Sequence, residues 1–219
     1  MSDKRILTVS ASPHTKSSST VTGIMLDVII ALVPAAFAGI AVFGFRAALV
    51  MAVCVVSCVA FEYASRTLLH RSNTIGDLSA VVTGLLLALN LPPSAPWWIG
   101  VIGGVFAILV VKMLFGGLGQ NFMNPALAAR CFLLISFTSQ MTDFNCDAYT
   151  GATPLARIKA GESVEVFDMI IGNTAGTFGE TSMIALVIGA CFLIMLGIID
   201  LRIPGSYIVT FALFTVLFG

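Results

Sequence analysis

Thr153 lies in a polar, turn-forming segment, residues 147–156, within a chain that is otherwise largely apolar. A Gly-Ala pair precedes it and Pro154 follows it, so its hydroxyl is expected to be accessible at a turn. Asp147 adds a nearby carboxylate that could assist metal-dependent phosphoryl transfer by a modifying enzyme. No histidine or lysine is close enough in sequence to predict a threonine-based hydrolase. The residues by themselves predict an accessible hydroxyl that an enzyme could modify, and a plain loop explains them as well.

A second segment with chemical potential, residues 116–125, contains three glycines, Gln120, Asn121 and Asn124 between two apolar stretches. Glycines allow the backbone to approach a ligand closely. Side-chain amides offer paired donors and acceptors, which suit an uncharged heterocycle with alternating polar groups along one edge. Asn124 followed by Pro125 is also typical of a helix cap and first helical residue. A ligand-binding loop and a short capped turn both explain these residues, and both stay open.

Composition defines the class of protein that must position these segments. Of 219 residues, 58% are hydrophobic and only 10% are charged. Soluble domains carry about a quarter charged residues, so this composition argues against a soluble enzyme and for a membrane protein. Eleven basic and eleven acidic residues balance, which gives no basic surplus for nucleic-acid binding.

Apolar stretches predict an all-α, polytopic transmembrane bundle with short or broken helices. Residues 1–22 form a polar arm, 23–138 a bundle of about five spans, 139–182 a polar loop, and 183–219 the last spans. The predicted spans are 24–43, 47–64, 78–91, 98–115, 126–137, 183–199 and 207–219. The final stretch is shorter than the ~20 residues that cross a bilayer, so we expect its spanning segment to be incomplete.

Two further features of the spans bear on chemistry. Asp27, Glu62, Asp77, Lys112 and Arg130 are ionisable groups in or beside apolar stretches, where charges are functional candidates. Most lie near span ends, which favours interfacial anchoring, and Glu62 is spaced to pair with the arginine four residues later. Among the five cysteines, Cys54 and Cys58 lie four residues apart, but no CxxC motif and no nearby histidine supports a metal site, so we interpret this pair as small apolar filler.

Basic residues predict the orientation of the chain. The N-terminal arm and the 66–71 loop collect positive charge and are assigned to the cytoplasm. Counting spans from there, the 116–125 segment is cytoplasmic and the 139–182 loop, with Thr153, is extracytoplasmic. A multi-pass membrane protein with a cytoplasmic N-terminus is therefore expected.

Segments spread along the chain resemble one family, the RnfD proteins of the Rnf electron-transport complex, which are similar to the NqrB proteins of the sodium-pumping NADH:quinone reductase. The matching segments are Ser12-Pro13-His14, residues 24–28, Thr74-Ile75-Gly76-Asp77, residues 83–93, residues 116–130 and residues 150–153. Family members continue further to complete an inverted-repeat bundle, so the resemblance implies that this chain is the first half of such a fold.

The resemblance also implies two flavin cofactors. FMN would be joined through its phosphate to the Thr153 hydroxyl by a flavin transferase, with Asp147, Thr150, Gly151 and Ala152 as the recognition context. A second, non-covalent flavin, riboflavin, would lie near the cytoplasmic end. For it the candidates are Gly117, Gly119, Asn121 and Asn124.

The activity implied is electron relay within an ion-translocating ferredoxin:NAD+ oxidoreductase, coupled to sodium or proton transport. The implied partners are the other Rnf proteins (RnfA, RnfB, RnfC, RnfE and RnfG), the flavin transferase and membrane lipid. No NAD site is predicted here, because the Gly116-Gly117-Leu118-Gly119 run follows no strand. A non-redox channel or solute carrier, which shares proline-broken spans and a glycine-rich loop, is the main alternative. A purely structural assembly component is the third.

Overall fold

The structure is a computed structural model that describes residues 20–70, 74–144, 154–161, 163–172 and 174–218, and structural statements concern those residues. Helices and turns make up this part of the chain, and it contains no strand. The helices are α1 (Val21–Phe43), α2 (Phe45–Leu68), α3 (Ser79–Leu89), α4 (Trp97–Met113), α5 (Pro125–Ser136), α6 (Thr138–Met141), α7 (Pro154–Lys159), α8 (Val166–Ile171), α9 (Met183–Met195) and α10 (Arg202–Phe218). The predicted all-α class is confirmed, whereas the inverted repeat stays a prediction.

Helices α1 and α2 are long and apolar enough to cross a membrane. They have 23 and 24 residues and mean hydropathies of 2.4 and 2.1. At 1.5 Å per residue each is about 35 Å long, which exceeds the ~30 Å hydrocarbon core of a bilayer. Thr20 begins α1 by accepting a hydrogen bond from Gly23 N, and Gly44, with φ of 70°, makes the tight turn into α2. The other apolar helices are shorter, between 10 and 17 residues.

Small residues bring α3 and α4 close to α2. Gly84 of α3 contacts the α2 backbone so tightly that a Cβ there would lie 2.7 Å from Val55 Cα. On α4, a Cβ at Gly100 would lie 2.6 Å from Cys54 Sγ, and one at Gly104 would lie 2.6 Å from Ser57 Oγ. Membrane helices that lack a hydrophobic driving force associate through such close backbone approaches. Helices α2, α3 and α4 are therefore closely packed against one another.

Two ends of the bundle can be distinguished by their contacts. At one end, the start of α1 meets the turn before α3, where Thr22 Oγ1 donates to Gly76 O. At the other end, the segment before α9 is fastened to the α3–α4 connection, because Phe178 N donates to Leu91 O and Gly179 N to Leu89 O. The 116–125 segment lies near the start of α3, so it and the segment before α9 belong to opposite ends of α3. The side of the membrane that each end faces stays a prediction.

Three local features differ from the sequence-based expectation. Arg66, expected in a loop after the second span, lies in the last turn of α2 and is buried, because that helix continues to Leu68. The 139–182 region contains the short helices α7 and α8, and part of α6, rather than loop alone. The second half of α4, Phe106–Met113, is π-helical, with Leu114 N donating to Leu109 O at 3.2 Å. Of these three features, the π-helical segment bears most directly on the site described next, because it contains Lys112.

Candidate functional site

A cavity of about 350 Å³ lies where α3 and α5 begin and α4 ends. This volume falls within the roughly 300–1,000 Å³ that is usual for small-molecule sites. Its polar and glycine lining comes from the start of α3, the end of α4 and the 116–125 segment: Ser79, Thr83, Lys112, Gly119, Asn121 and Asn124. Its apolar lining adds α1 and the facing helices: Met25, Val82, Leu86, Leu118, Met123 and Pro125. A mostly apolar cavity with a few convergent polar groups is typical of a small-molecule site.

The 116–125 segment is shaped by glycines and a helix cap. Gly117 and Gly119 have φ values of 107° and 84°, which L side chains rarely adopt. Gly117 N donates to Lys112 O at 2.9 Å and so fixes the start of the segment to the end of α4. At the other end, Asn124 caps α5 by accepting from Ala126 N at 3.0 Å, with Pro125 as the first helical residue. The predicted cap at Asn124 and Pro125 is confirmed.

Lys112 and Glu62 form a buried ion pair beside the cavity. Lys112 Nζ lies 2.6 Å from Glu62 Oε2, and their side chains are 1% and 0% exposed. Lys112 comes from the π-helical part of α4 and Glu62 from α2, so the pair joins two helices. Lys112 lines the cavity, whereas Glu62 is not among its lining residues. The attraction between the two charges is strong because burial reduces their screening by water.

Further polar groups complete the surroundings of this pair. Lys112 Nζ also donates to Ser79 Oγ at 2.6 Å, and Ser79 Oγ donates in turn to Asp77 Oδ1 at 2.5 Å. Asp77 Oδ1 also accepts from Ser79 N at 2.8 Å, which caps the first turn of α3. On the far side, Glu62 Oε1 accepts from Thr74 Oγ1 at 3.1 Å. The resulting chain of hydrogen bonds from Thr74 to Asp77 holds Lys112 in one position.

Asn121 contributes an uncharged amide to the cavity lining. Its Oδ1 atom is buried and has no hydrogen-bond partner among the described residues. Because a side-chain amide offers both donors and an acceptor, an uncharged ligand with polar groups along one edge would suit this wall of the cavity.

The burial of Glu62 and Lys112 corrects the sequence-based interpretation of these residues as interfacial anchors. Both are enclosed, because the long helix α2 and the end of α4 pack against each other there. A signal for this was present in the sequence, since each is a lone charge of its sign within an apolar stretch. Their pairing was not visible, because fifty positions separate them.

The structure brings together three of the four residues predicted for the second flavin. Gly119, Asn121 and Asn124 line the cavity. Gly117 is not among the lining residues and instead faces α2, where a Cβ on it would lie 2.9 Å from Arg66 Nη2. The residues predicted for FMN attachment, Asp147, Thr150, Gly151, Ala152 and Thr153, lie outside the described residues.

A second polar cluster lies farther along α5. Arg130 Nη1 donates to Asn90 Oδ1 at 2.8 Å, and Asn90 Nδ2 donates to Leu86 O at 2.7 Å. Arg130 Nη2 also lies 3.8 Å from Glu180 Oε1, with both side chains substantially exposed. Because Leu86 also lines the cavity, this cluster connects the site to the other end of the bundle.

Long and short apolar helices that pack around a mostly apolar cavity, with an enclosed ion pair beside it, define a helical membrane protein. The chain belongs to the NQR2, RnfD, RnfE family, whose sequence profile matches residues 8–219. This confirms the family resemblance seen in the sequence.

Individual relatives agree with this assignment, and each is the D component of an ion-translocating oxidoreductase complex. The chain is 51% identical over 222 residues to that component of the Na+-translocating ferredoxin:NAD+ oxidoreductase complex of Acetobacterium woodii, with 97% of this chain and 70% of that protein covered. It is 37% identical to the D component of the proton-translocating ferredoxin:NAD+ oxidoreductase complex of Clostridium ljungdahlii, with 99% and 70% covered. It is 33% identical to the D component of the ion-translocating oxidoreductase complex of Escherichia coli, with 95% and 72% covered.

Proposed function

We propose that this chain is a membrane flavoprotein component of an ion-translocating ferredoxin:NAD+ oxidoreductase complex. It would relay electrons through FMN esterified to Thr153 and through riboflavin in the cavity beside Lys112, in a complex coupled to sodium or proton transport. Ferredoxin and NAD would bind other components. The observation that carries the proposal is the cavity itself, because the predicted Gly119, Asn121 and Asn124 all contribute to its lining.

The residues at the cavity fit the uncharged ring of riboflavin. Its isoalloxazine edge offers an N–H between two carbonyl groups, which suits the donor and acceptor atoms of the Asn121 side-chain amide in the cavity lining. Met25, Leu86 and Met123 would exclude water from the faces of the ring. When bound, the flavin supplies the redox chemistry, while these residues set its position and polarity.

For FMN on Thr153, the support is the sequence motif and the family. The proposal places this residue outside the cytoplasm, in the 139–182 loop, and the N-terminal arm inside. The hydrogen bonds of Phe178 and Gly179 are compatible with this orientation. They attach the 139–182 loop to the α3–α4 connection, at the opposite end of α3 from the 116–125 segment. The flavin transferase, the other Rnf proteins and lipid are the proposed partners.

Denaturing electrophoresis tests the covalent flavin. Protein from cells that contain the transferase should give a fluorescent band, because an ester survives denaturation, and Thr153→Val should abolish it. Thr142→Val is the matched control, since Thr142 also lies in the 139–182 loop and its hydroxyl bonds back to Thr138 O. A dark wild-type band would favour the channel or carrier. Full activity of a complex that carries Thr153→Val would favour a purely structural role.

Flavin released by denaturation tests the second site. Asn121→Leu should lose the non-covalent flavin because the acceptor is removed and the cavity is partly filled. Gln120→Leu is the control, because Gln120 precedes Asn121 in the chain but is exposed and does not line the cavity. Equal riboflavin release from both variants would exclude Asn121 from the site.

A further inference from the structure

We propose that the Lys112–Glu62 pair sets the ligand specificity of the cavity, so that an uncharged flavin is accepted and its phosphorylated form is rejected. The inference rests on the proposed flavin in the cavity and goes further by assigning the choice between flavins to Glu62. Glu62 does not line the cavity and would act through the charge of Lys112.

Lys112 contributes a cation to the wall of the cavity. A buried ammonium at a cavity wall is normally a strong attractor for phosphate, which would form charge-assisted hydrogen bonds with it. Here Glu62 Oε2 lies 2.6 Å from Lys112 Nζ, and neither side chain is more than 1% exposed. Since the carboxylate already neutralises the ammonium, a phosphate would gain little from Lys112 and would be repelled by the negative charge of Glu62.

The N-termini of α3 and α5 also lie at the cavity, and an uncapped helix N-terminus readily binds an anion. Both are occupied by the chain's own side chains. Asp77 Oδ1 accepts from Ser79 N at 2.8 Å, and Asn124 Oδ1 accepts from Ala126 N at 3.0 Å. These N–H groups are therefore not available to a phosphate.

Asn121 adds an uncharged side-chain amide to the cavity lining, and an amide matches the polar edge of an uncharged ring. A phosphate monoester carries a charge between about −1.5 and −2 at pH 7. Burying such a charge without a partner is far more costly than burying an uncharged ring. The neutralised cation, the capped helix ends and the uncharged amide therefore all favour an uncharged ligand.

The experiment measures riboflavin and FMN binding to the full-length chain in detergent, by quenching of flavin fluorescence. All proteins carry Thr153→Val, so that no measured flavin is esterified. The protein with the native Lys112–Glu62 pair should bind riboflavin at least about tenfold more tightly than FMN. Glu62→Gln leaves the Lys112 ammonium without its counter-charge and should shift the preference toward FMN by about tenfold or more.

Two companion variants keep the inference testable if the single variant is unstable. The double variant Glu62→Gln with Lys112→Met removes both charges and should return the preference to riboflavin. Glu180→Gln removes a carboxylate whose partner, Arg130, lies outside the cavity lining, and should leave both affinities unchanged.

The outcomes separate this inference from the function on which it rests. If the protein with the native pair binds neither flavin, the proposed flavin site fails and the inference fails with it. If riboflavin and FMN bind to it equally well, the flavin site stands and the specificity inference is overturned. It is also overturned if Glu62→Gln does not change the ratio of affinities, or if the double variant keeps a preference for FMN.

Discussion

Lys112 and Glu62 lie 2.6 Å apart with no more than 1% of either side chain exposed, whereas Arg130 and Glu180 lie 3.8 Å apart with 37% and 58% exposed. Both pairs connect separate parts of the bundle. Enclosed charges depend strongly on each other, because removing one leaves the other buried without a counter-charge. Exposed charges are hydrated in either case and contribute little. Burial therefore predicts that the stability of the protein depends strongly on the Lys112–Glu62 pair and little on the Arg130–Glu180 pair.

Replacing Lys112 is the strongest test of the difference between the buried and the exposed ion pair. Lys112→Met should lower the free energy of unfolding by about 3–5 kcal/mol, because Glu62 is left buried and unpaired. The measurement is denaturant unfolding in detergent micelles, followed through Trp97 and Trp98. The double variant with Glu62→Gln should recover most of the loss. A loss under about 1 kcal/mol would mean that water reaches Glu62.

Packing beside the enclosed pair gives a second test, with a smaller effect. Gly84→Ala should destabilise the protein by about 1–3 kcal/mol, because the new Cβ would press on the α2 backbone at Val55. Gly76→Ala is the control, since a Cβ there meets no atom within 4 Å. Equal unfolding midpoints for the two variants would indicate that α2 and α3 separate easily and that the low dielectric around Glu62 is not maintained.

The cap of α5 provides a third, more local test. Asn124→Ala should lower the free energy of unfolding by about 1 kcal/mol, because Ala126 N loses its acceptor. Riboflavin affinity should fall as well, since Asn124 lines the cavity. Asn124→Asp, which retains the capping oxygen, should restore stability in the same unfolding measurement. If Asn124→Asp is no more stable than Asn124→Ala, the capping role is refuted.

The smallest effect is expected at the exposed pair. Glu180→Gln should change the free energy of unfolding by less than about 1 kcal/mol, because Arg130 is hydrated and is also bonded to Asn90. Raising the salt concentration should reduce even this difference. A loss comparable to that of Lys112→Met would contradict the contrast between the two regions.

The helical class and the family could be predicted from the sequence, and so could the long helices α1 and α2 and the cap at Asn124. Each depends on local information, namely apolar length, a cap motif or an ordered set of matching segments. The grouping of Gly119, Asn121 and Asn124 around one cavity also agrees with a local prediction, because all three lie in a single short segment.

The pairing of Lys112 with Glu62 could not be predicted in this way. It depends on how α2 and α4 pack, and that packing depends on the absence of side chains at Gly100 and Gly104. The left-handed conformation of Leu78, with φ of 62°, was equally hidden, because non-glycine residues rarely adopt it. This turn places the Asp77 carboxylate over the first N–H group of α3.

The π-helical turn at the end of α4 has a consequence for how this site tolerates insertions and deletions. A π-helical turn holds more residues than an α-helical one, so every later side chain is rotated about the helix axis relative to regular α geometry. One residue corresponds to about 100° in an α-helix. Deleting Val110 from this turn would let the turn become α-helical and would leave Lys112 near its present angular position. Deleting one residue from the regular α-helical part, Trp97–Val105, would instead rotate Lys112 by about 100° relative to the start of α4 and away from Glu62. The ion pair is thus encoded by the residue count of one helix as well as by the identity of its two members.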